Sequence, residues 1–220
     1  MSVAGALAAR LRLMVLTDPA CGPGRSIVEV VRASLRGGAP AVQIRAKGGD
    51  TRDMLELAMA LRLETTNAGA LLFVNDRVDV ALASDADGAH VGDDDIPIAV
   101  ARRIAPQGFI LGRSVNTADE AVIAMRQGAD YLGVGPVFST PSKADAGDAI
   151  GADGIAMVRS VTSLPIVAIG GLDLSNSAEV AAAGADGVAV IRAVMQADDP
   201  EDATRRLLSV IEDGLSRQRR

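Results

Sequence analysis

The sequence predicts a single-domain α/β protein, a (β/α)8 TIM barrel spanning residues 1–220. Eight short β-branched or aliphatic runs alternate with eight stretches of helical apolar period. Glycine recurs at the joints, in Gly37-Gly38-Ala39, Gly128-Ala129-Asp130 and Gly184-Ala185-Asp186, where the chain leaves a helix and a left-handed cap favours it. The two Gly-Ala-Asp copies, 56 residues apart, read as one β/α unit reused. A length of 220 residues suits the lower end of the barrel's size range. The alternative is an open doubly wound sheet. Such a sheet usually has a Gly-x-Gly-x-x-Gly turn after its first strand, whereas here that strand leads into Thr17-Asp18-Pro19-Ala20-Cys21-Gly22-Pro23-Gly24.

In chain order the aliphatic runs fall at residues 13–16, 41–44, 70–74, 88–91, 109–111, 131–134, 166–169 and 187–191. Helical spacing comes after each of them, at 27–35, 52–65, 78–83, 98–104, 118–126, 154–161, 177–182 and 203–215. The first ten or so residues and the Arg-rich C-terminal tail are expected at the periphery. The longest irregular segment, 136–152, comes after the sixth strand and is rich in Ser, Pro, Gly and Asp. A loop of that length in a compact domain tends to be functional or disordered.

Composition removes several classes of function. Lys and Arg number 22 against 28 Asp and Glu, a net charge of −6, which argues against affinity gained by neutralising nucleic-acid phosphates. With no Trp, one Tyr and three Phe there is no aromatic platform for bases. A lone cysteine, Cys21, makes neither an internal disulfide nor a Cys-rich zinc site, and a lone histidine, His90, excludes a two-histidine metal cluster. Arg10 and Arg12 interrupt any signal-like apolar run, and no stretch approaches about 18 apolar residues. The expectation is a cytoplasmic protein with neither nucleic acid nor membrane as partner. A homo-oligomer stays open. Twenty of the 22 basic residues are Arg, which draws attention to Lys47 and Lys143.

Polar residues at the C-terminal ends of the strands are the candidates for chemistry, because barrel enzymes keep their sites on that face. The second strand runs into Gln43-Ile44-Arg45-Ala46-Lys47, and alternation puts the amide and both cations on one side. Such a row suits an anion, with Arg and Lys for phosphoryl oxygens. The third strand ends Asn75-Asp76-Arg77 and the fourth His90-Val91-Gly92-Asp93-Asp94-Asp95. Asp76 or Asp95 alone could be a helix cap. Together they could hold one Mg2+, which takes one or two carboxylates plus substrate phosphate.

Further on, Ser114 ends the fifth strand with no histidine in a hydrolase motif to pair with it, and His90 reads as a packed strand residue. Lys143 lies in the long loop after Thr140-Pro141-Ser142. The seventh strand leads into Gly170-Gly171 and the eighth into Ile191-Arg192, where barrels usually bind phosphate through backbone N–H groups. One anionic subsite therefore combines Arg45, Lys47 and Lys143 with Mg2+ on Asp76 and Asp95. The other combines Thr140 and Ser142 with the amides near Gly171, Ile191 and Arg192. Two such subsites across one barrel mouth suit a pair of phosphorylated small molecules.

The ordered set Gln-Ile-Arg-Ala-Lys, Asn-Asp-Arg-Val-Asp, His-Val-Gly-x-x-Asp, Gly-Arg-Ser, Gly-Ala-Asp-Tyr-Leu-Gly-Val-Gly-Pro-Val-Phe-x-Thr-x-Ser-Lys, Val-Ala-Ile-Gly-Gly and Gly-Ala-Asp-Gly-Val-Ala-Val resembles the thiamine phosphate synthase family over residues 13–200. The resemblance implies a transferase that joins the hydroxymethylpyrimidine diphosphate to the thiazole phosphate, or its carboxylated precursor, by a dissociative substitution that releases pyrophosphate. It assigns the pyrimidine diphosphate to Gln43, Ile44, Arg45, Ala46, Lys47, Asn75, Ser114 and Lys143, with one Mg2+ on Asp76 and Asp95. It assigns the thiazole phosphate to Thr140, Pro141, Ser142, Gly171, Ile191 and Arg192. Arg45, Lys47, Ser114 and Lys143 are the implied catalytic groups. The chain departs from the family pattern at Ser142, often Thr, at Arg192, often Ser, and at Asn116, often His. A thiazole tautomerase of the same fold relies on histidine at that last motif, so Asn116 weighs against this alternative. A silent binder of thiamine phosphates is the other one.

Overall fold

A computed structural model of the chain describes residues 3–45, 50–140 and 148–218. Its elements run α1 (Val3–Arg10), β1 (Leu13–Leu16), α2 (Ile27–Arg36), β2 (Ala41–Ile44), α3 (Thr51–Ala68), β3 (Leu71–Asn75), α4 (Val78–Ala83), β4 (Gly88–Val91), α5 (Ile98–Ile104), β5 (Ile110–Val115), α6 (Ala118–Arg126), β6 (Tyr131–Val134), α7 (Gly151–Arg159), β7 (Ile166–Ile169), α8 (Ser177–Ala182), β8 (Gly187–Val190), α9 (Arg192–Met195) and α10 (Pro200–Gln218). The strands are parallel, pair in sequence order and close into a barrel, with Leu13 opposite Val188 and Val15 opposite Val190.

Strand alternation builds two apolar layers. Leu13, Val15, Val42, Ile44, Leu72 and Val74 join the cluster that the surrounding helices cover. Met14, Leu16, Ala41, Leu71, Phe73 and Tyr131 turn inward and fill the barrel. Helix α1, in the segment expected at the periphery, packs Leu7 against that inner cluster. Neither α1 nor the short α9 is signalled by helical period.

Element boundaries differ from expectation in an informative way. Strand β5 does not stop at residue 111 but continues through Gly112, Arg113 and Ser114 to Val115. Polar residues and a glycine read as loop, yet Gly112 pairs with Tyr131 and Ser114 with Gly133 on β6. Strand β3 extends to Asn75, β8 ends at Val190, and α7 starts at Gly151 rather than at 154.

Glycine inside β5 and β6 makes room for rings. A Cβ on Gly112 would lie 2.2 Å from Tyr131 Cζ and 2.5 Å from His90 Nδ1, and one on Gly133 would lie 2.7 Å from His90 Cε1. Tyr131 meets Phe73 edge-on at 5.5 Å between centroids, a favoured aromatic geometry.

The repeated Gly-Ala-Asp joint has a structural role. Asp130 and Asp186 stand just before β6 and β8, and each carboxylate accepts the N–H of a residue on the preceding strand, Leu111 or Ile166, at 2.8 Å. Arg102 and Arg159 pair with the same two carboxylates. A third copy, not evident from the sequence, is Asp85-Ala86-Asp87 before β4, where Asp87 accepts from Leu72 N–H at 2.8 Å and pairs with Arg62. Asp85 holds the left-handed φ of 53° that glycine supplies in the other copies. Replacing Asp130 with Ala leaves the buried Leu111 N–H without its acceptor. The expected cost is about 2 kcal/mol, read as a drop of about 4–8 °C in the thermal unfolding midpoint.

Candidate active site

Six of the predicted residues are assembled around one mouth of the barrel by the ends of β2 to β5. Gln43 closes β2 from the inside, buried, with its Nε2 3.4 Å from Met14 Sδ. Ile44 is fully buried among the outer residues, so its side chain faces away from the mouth. Arg45 comes directly after the strand. Its N–H donates to Thr17 Oγ1 at 3.0 Å, which ties the end of β2 to that of β1. Thr17 is almost wholly buried and carries no signal of this role in the sequence.

Asp76 sits one residue past β3, and its N–H donates to the His90 carbonyl at 2.8 Å. Its φ of 64° is unusual for a residue with a side chain, though Asp tolerates it better than most. Neither aspartate caps a helix: α4 is preceded by Arg77 and α5 by Pro97, and neither start has a side-chain cap. Asp95 instead accepts the Gly92 N–H at 2.7 Å, which folds the acidic turn back on β4. Its neighbour Asp93 is taken by Arg113.

The two carboxylates face each other, and the Asp76 carboxyl is pushed up to about 6. Loss of hydration is the largest cause, then the hydrogen bond and the repulsion from Asp95; Asn75 and Arg45 pull the other way. Asp76 still has an open face. A carboxylate pair that repels across an open mouth, beside a guanidinium, has the donor chemistry for a hard divalent cation. Among the described residues no third acidic, His or Cys ligand joins them. A metal there would complete its shell with water and phosphate, as Mg2+ does.

Ser114 departs from expectation. Its Oγ lies 2.9 Å from His90 Nε2, and His90 Nδ1 lies 3.0 Å from the Tyr131 hydroxyl. Ser114 therefore has a histidine partner after all, and His90 is more than a packed residue. The third member is a phenol rather than a carboxylate, so the arrangement is not a hydrolase triad.

On the opposite side, the segment after β6 is fastened to the end of β7. Val137 N–H donates to Ile169 O at 2.9 Å and Phe138 N–H to Gly170 O at 3.0 Å, which brings Thr140 toward Gly171. A Cβ on Gly171 would lie 2.7 Å from Ser139 O, so this approach requires glycine. Ile191 and Arg192 stand where β8 passes into α9, with Arg192 exposed. Ala46, Lys47, Pro141, Ser142 and Lys143 lie outside the described residues.

The family model described as thiamine monophosphate synthase matches residues 13–194. The chain belongs to the thiamine monophosphate synthase family. The thiamine-phosphate synthase of Chloroflexus aurantiacus is 52% identical over 200 residues, 91% of this chain and 92% of that protein. That of Natronomonas pharaonis is 53% identical over 191 residues, 86% and 89% of the two chains. The solved thiamine phosphate pyrophosphorylase of Pyrococcus furiosus is 47% identical with a TM-score of 0.87, covering 95% of this chain and 99% of its own.

Within this thiamine monophosphate synthase fold, Asn116 plays a local role. Its N–H donates to Glu120 Oε2 at 2.6 Å, next to the capping box in which Thr117 and Glu120 start α6. That cap fixes the turn just beyond Ser114. No described helix is long and apolar enough to cross a membrane.

Proposed function

We propose that this chain couples the hydroxymethylpyrimidine diphosphate to the thiazole phosphate, giving thiamine phosphate and pyrophosphate. The observation that carries the reading is the Asp76–Asp95 pair beside Arg45 at the mouth of a barrel. Its family context supplies the two substrates: the curated relatives it matches over nearly their whole length are named thiamine-phosphate synthases.

In this reading the pyrimidine lies against Gln43, Asn75 and Ser114, with its diphosphate toward Arg45, Lys47 and Lys143. Bound Mg2+ on Asp76 and Asp95 would neutralise the charge that develops on the departing pyrophosphate. Arg45 and the two lysines share that task, which lowers the barrier because the charge grows as the C–O bond breaks. The methylene carbon is left cationic, and the thiazole nitrogen attacks it with its lone pair. The new C–N bond replaces the C–O bond with no proton transfer and no protein nucleophile. Thr140, Pro141 and Ser142, with the backbone at Gly171, Ile191 and Arg192, hold the thiazole phosphate in line, which makes the second step effectively intramolecular.

Purified protein given both substrates should form thiamine phosphate and pyrophosphate one to one, measured by chromatography. Neither substrate alone should yield thiamine phosphate. Isomerisation of the thiazole carboxylate phosphate with no coupled product would overturn the reading in favour of a tautomerase.

A further inference from the structure

One polar chain crosses the barrel interior, and the chemistry of its members fixes its direction. It starts at Met14, whose thioether can only accept. The Gln43 amide faces that sulfur with its NH2 group, Nε2 lying 3.4 Å from Sδ. Burial raises the pKa of the Tyr131 hydroxyl, and the Gln43 side chain nearby pulls it the other way. Tyr131 is 1% exposed, so its own proton must be used inside the barrel, and His90 Nδ1 stands 3.0 Å away. A Tyr131 hydroxyl that donates to Nδ1 leaves the imidazole proton on Nε2. That nitrogen lies 2.9 Å from Ser114 Oγ. Ser114 then accepts from His90 and keeps its own proton for whatever lies at the mouth.

We propose that His90 is a positioning residue: Tyr131 holds it in the neutral Nε2–H tautomer, and it thereby turns Ser114 into a hydrogen-bond donor toward the pyrimidine substrate. This rests on the coupling reaction proposed above and adds two residues to it. The opposite tautomer would make Ser114 donate inward to Nε2 and offer substrate only lone pairs. Gly112 and Gly133 belong to the same device, because a side chain on either would displace His90. The relay spans three strands, β4, β5 and β6, and each of its rings rests over a glycine of a neighbouring strand.

The chain has a single histidine, so labelling histidine with 15N gives one imidazole whose two ring nitrogens report the tautomer without ambiguity. In substrate-free wild-type protein the proton should reside on Nε2, with Nδ1 bare. Tyr131→Phe keeps the ring and removes only the hydroxyl. In that variant the Nε2–H preference should be lost. Its kcat should fall about tenfold or more with little change in KM for the pyrimidine substrate, while the thermal midpoint drops by about 4–8 °C because His90 Nδ1 loses its buried partner. A wild-type proton on Nδ1, or a Tyr131→Phe enzyme with unchanged kcat, would overturn the proposal. The tautomer is read without substrate, so wild-type protein that forms no coupled product would count against the reaction and not against the hydrogen-bond direction.

Discussion

Replacing Asp76 with Asn lowers the rate of thiamine phosphate formation by about 10²-fold or more at fixed Mg2+, and raising Mg2+ recovers part of the loss. The amide preserves the shape and removes one of the two proposed anionic ligands. It also removes the group that gives the wild-type site its pH response. The Asp76 carboxyl in the metal-free protein is pushed up to about 6 by lost hydration and by Asp95. A raised value means that protons are held more tightly than usual, so acid competes with the cation. Above that pH the carboxylate is free to bind. Below it, the Mg2+ needed for half-maximal rate should climb about tenfold per pH unit, because one proton must leave for each ion bound. Asp76→Asn should flatten this dependence. Titrating Mg2+ at a series of pH values, with substrate fixed, checks both statements. An Asp76→Asn enzyme with full turnover would remove Asp76 from the metal site.

Replacing Gly112 with Ala should cost about 3 kcal/mol, a drop of about 6–12 °C in the unfolding midpoint. The new methyl would lie 2.2 Å from Tyr131 Cζ and 2.5 Å from His90 Nδ1, far inside contact distance. Both rings are held by their neighbours, Tyr131 by Phe73 and His90 by Ser114, so neither can swing aside freely. The same substitution in a Tyr131→Ala background should cost at least about 1 kcal/mol less, because one of the colliding rings is gone. Thermal unfolding of the two single variants and the double variant measures that coupling. Strict additivity would mean that Gly112 is needed for some reason other than room for the Tyr131 ring.

The barrel is legible in the sequence because alternation and helical period survive in every unit, and because the helix-to-strand joints repeat. Features that depend on register between strands are not. Strand β5 reads as ending at residue 111 because Gly112, Arg113 and Ser114 are poor strand formers; their pairing with Tyr131, Leu132 and Gly133 outweighs that preference. The third aspartate joint is hidden by Asp85, which stands where the other copies have glycine and adopts the same left-handed backbone. Asp76 and Asp95 are visible as carboxylates on adjacent strand ends, and the fold does bring them face to face. His90 and Tyr131, 41 residues apart, are not visible as partners. Only the closure of β4, β5 and β6 over two inward glycines puts their rings together.

The most direct test of the proposed site is a crystal structure of the protein soaked with Mn2+ and pyrophosphate, with the metal located by anomalous scattering. The expected result is one ion bridging the carboxylates of Asp76 and Asp95 at about 2.2 Å, with pyrophosphate oxygens in its shell and Arg45 on the phosphate. Manganese bound elsewhere, or pyrophosphate bound with the Asp76–Asp95 pair left bare, would contradict the account.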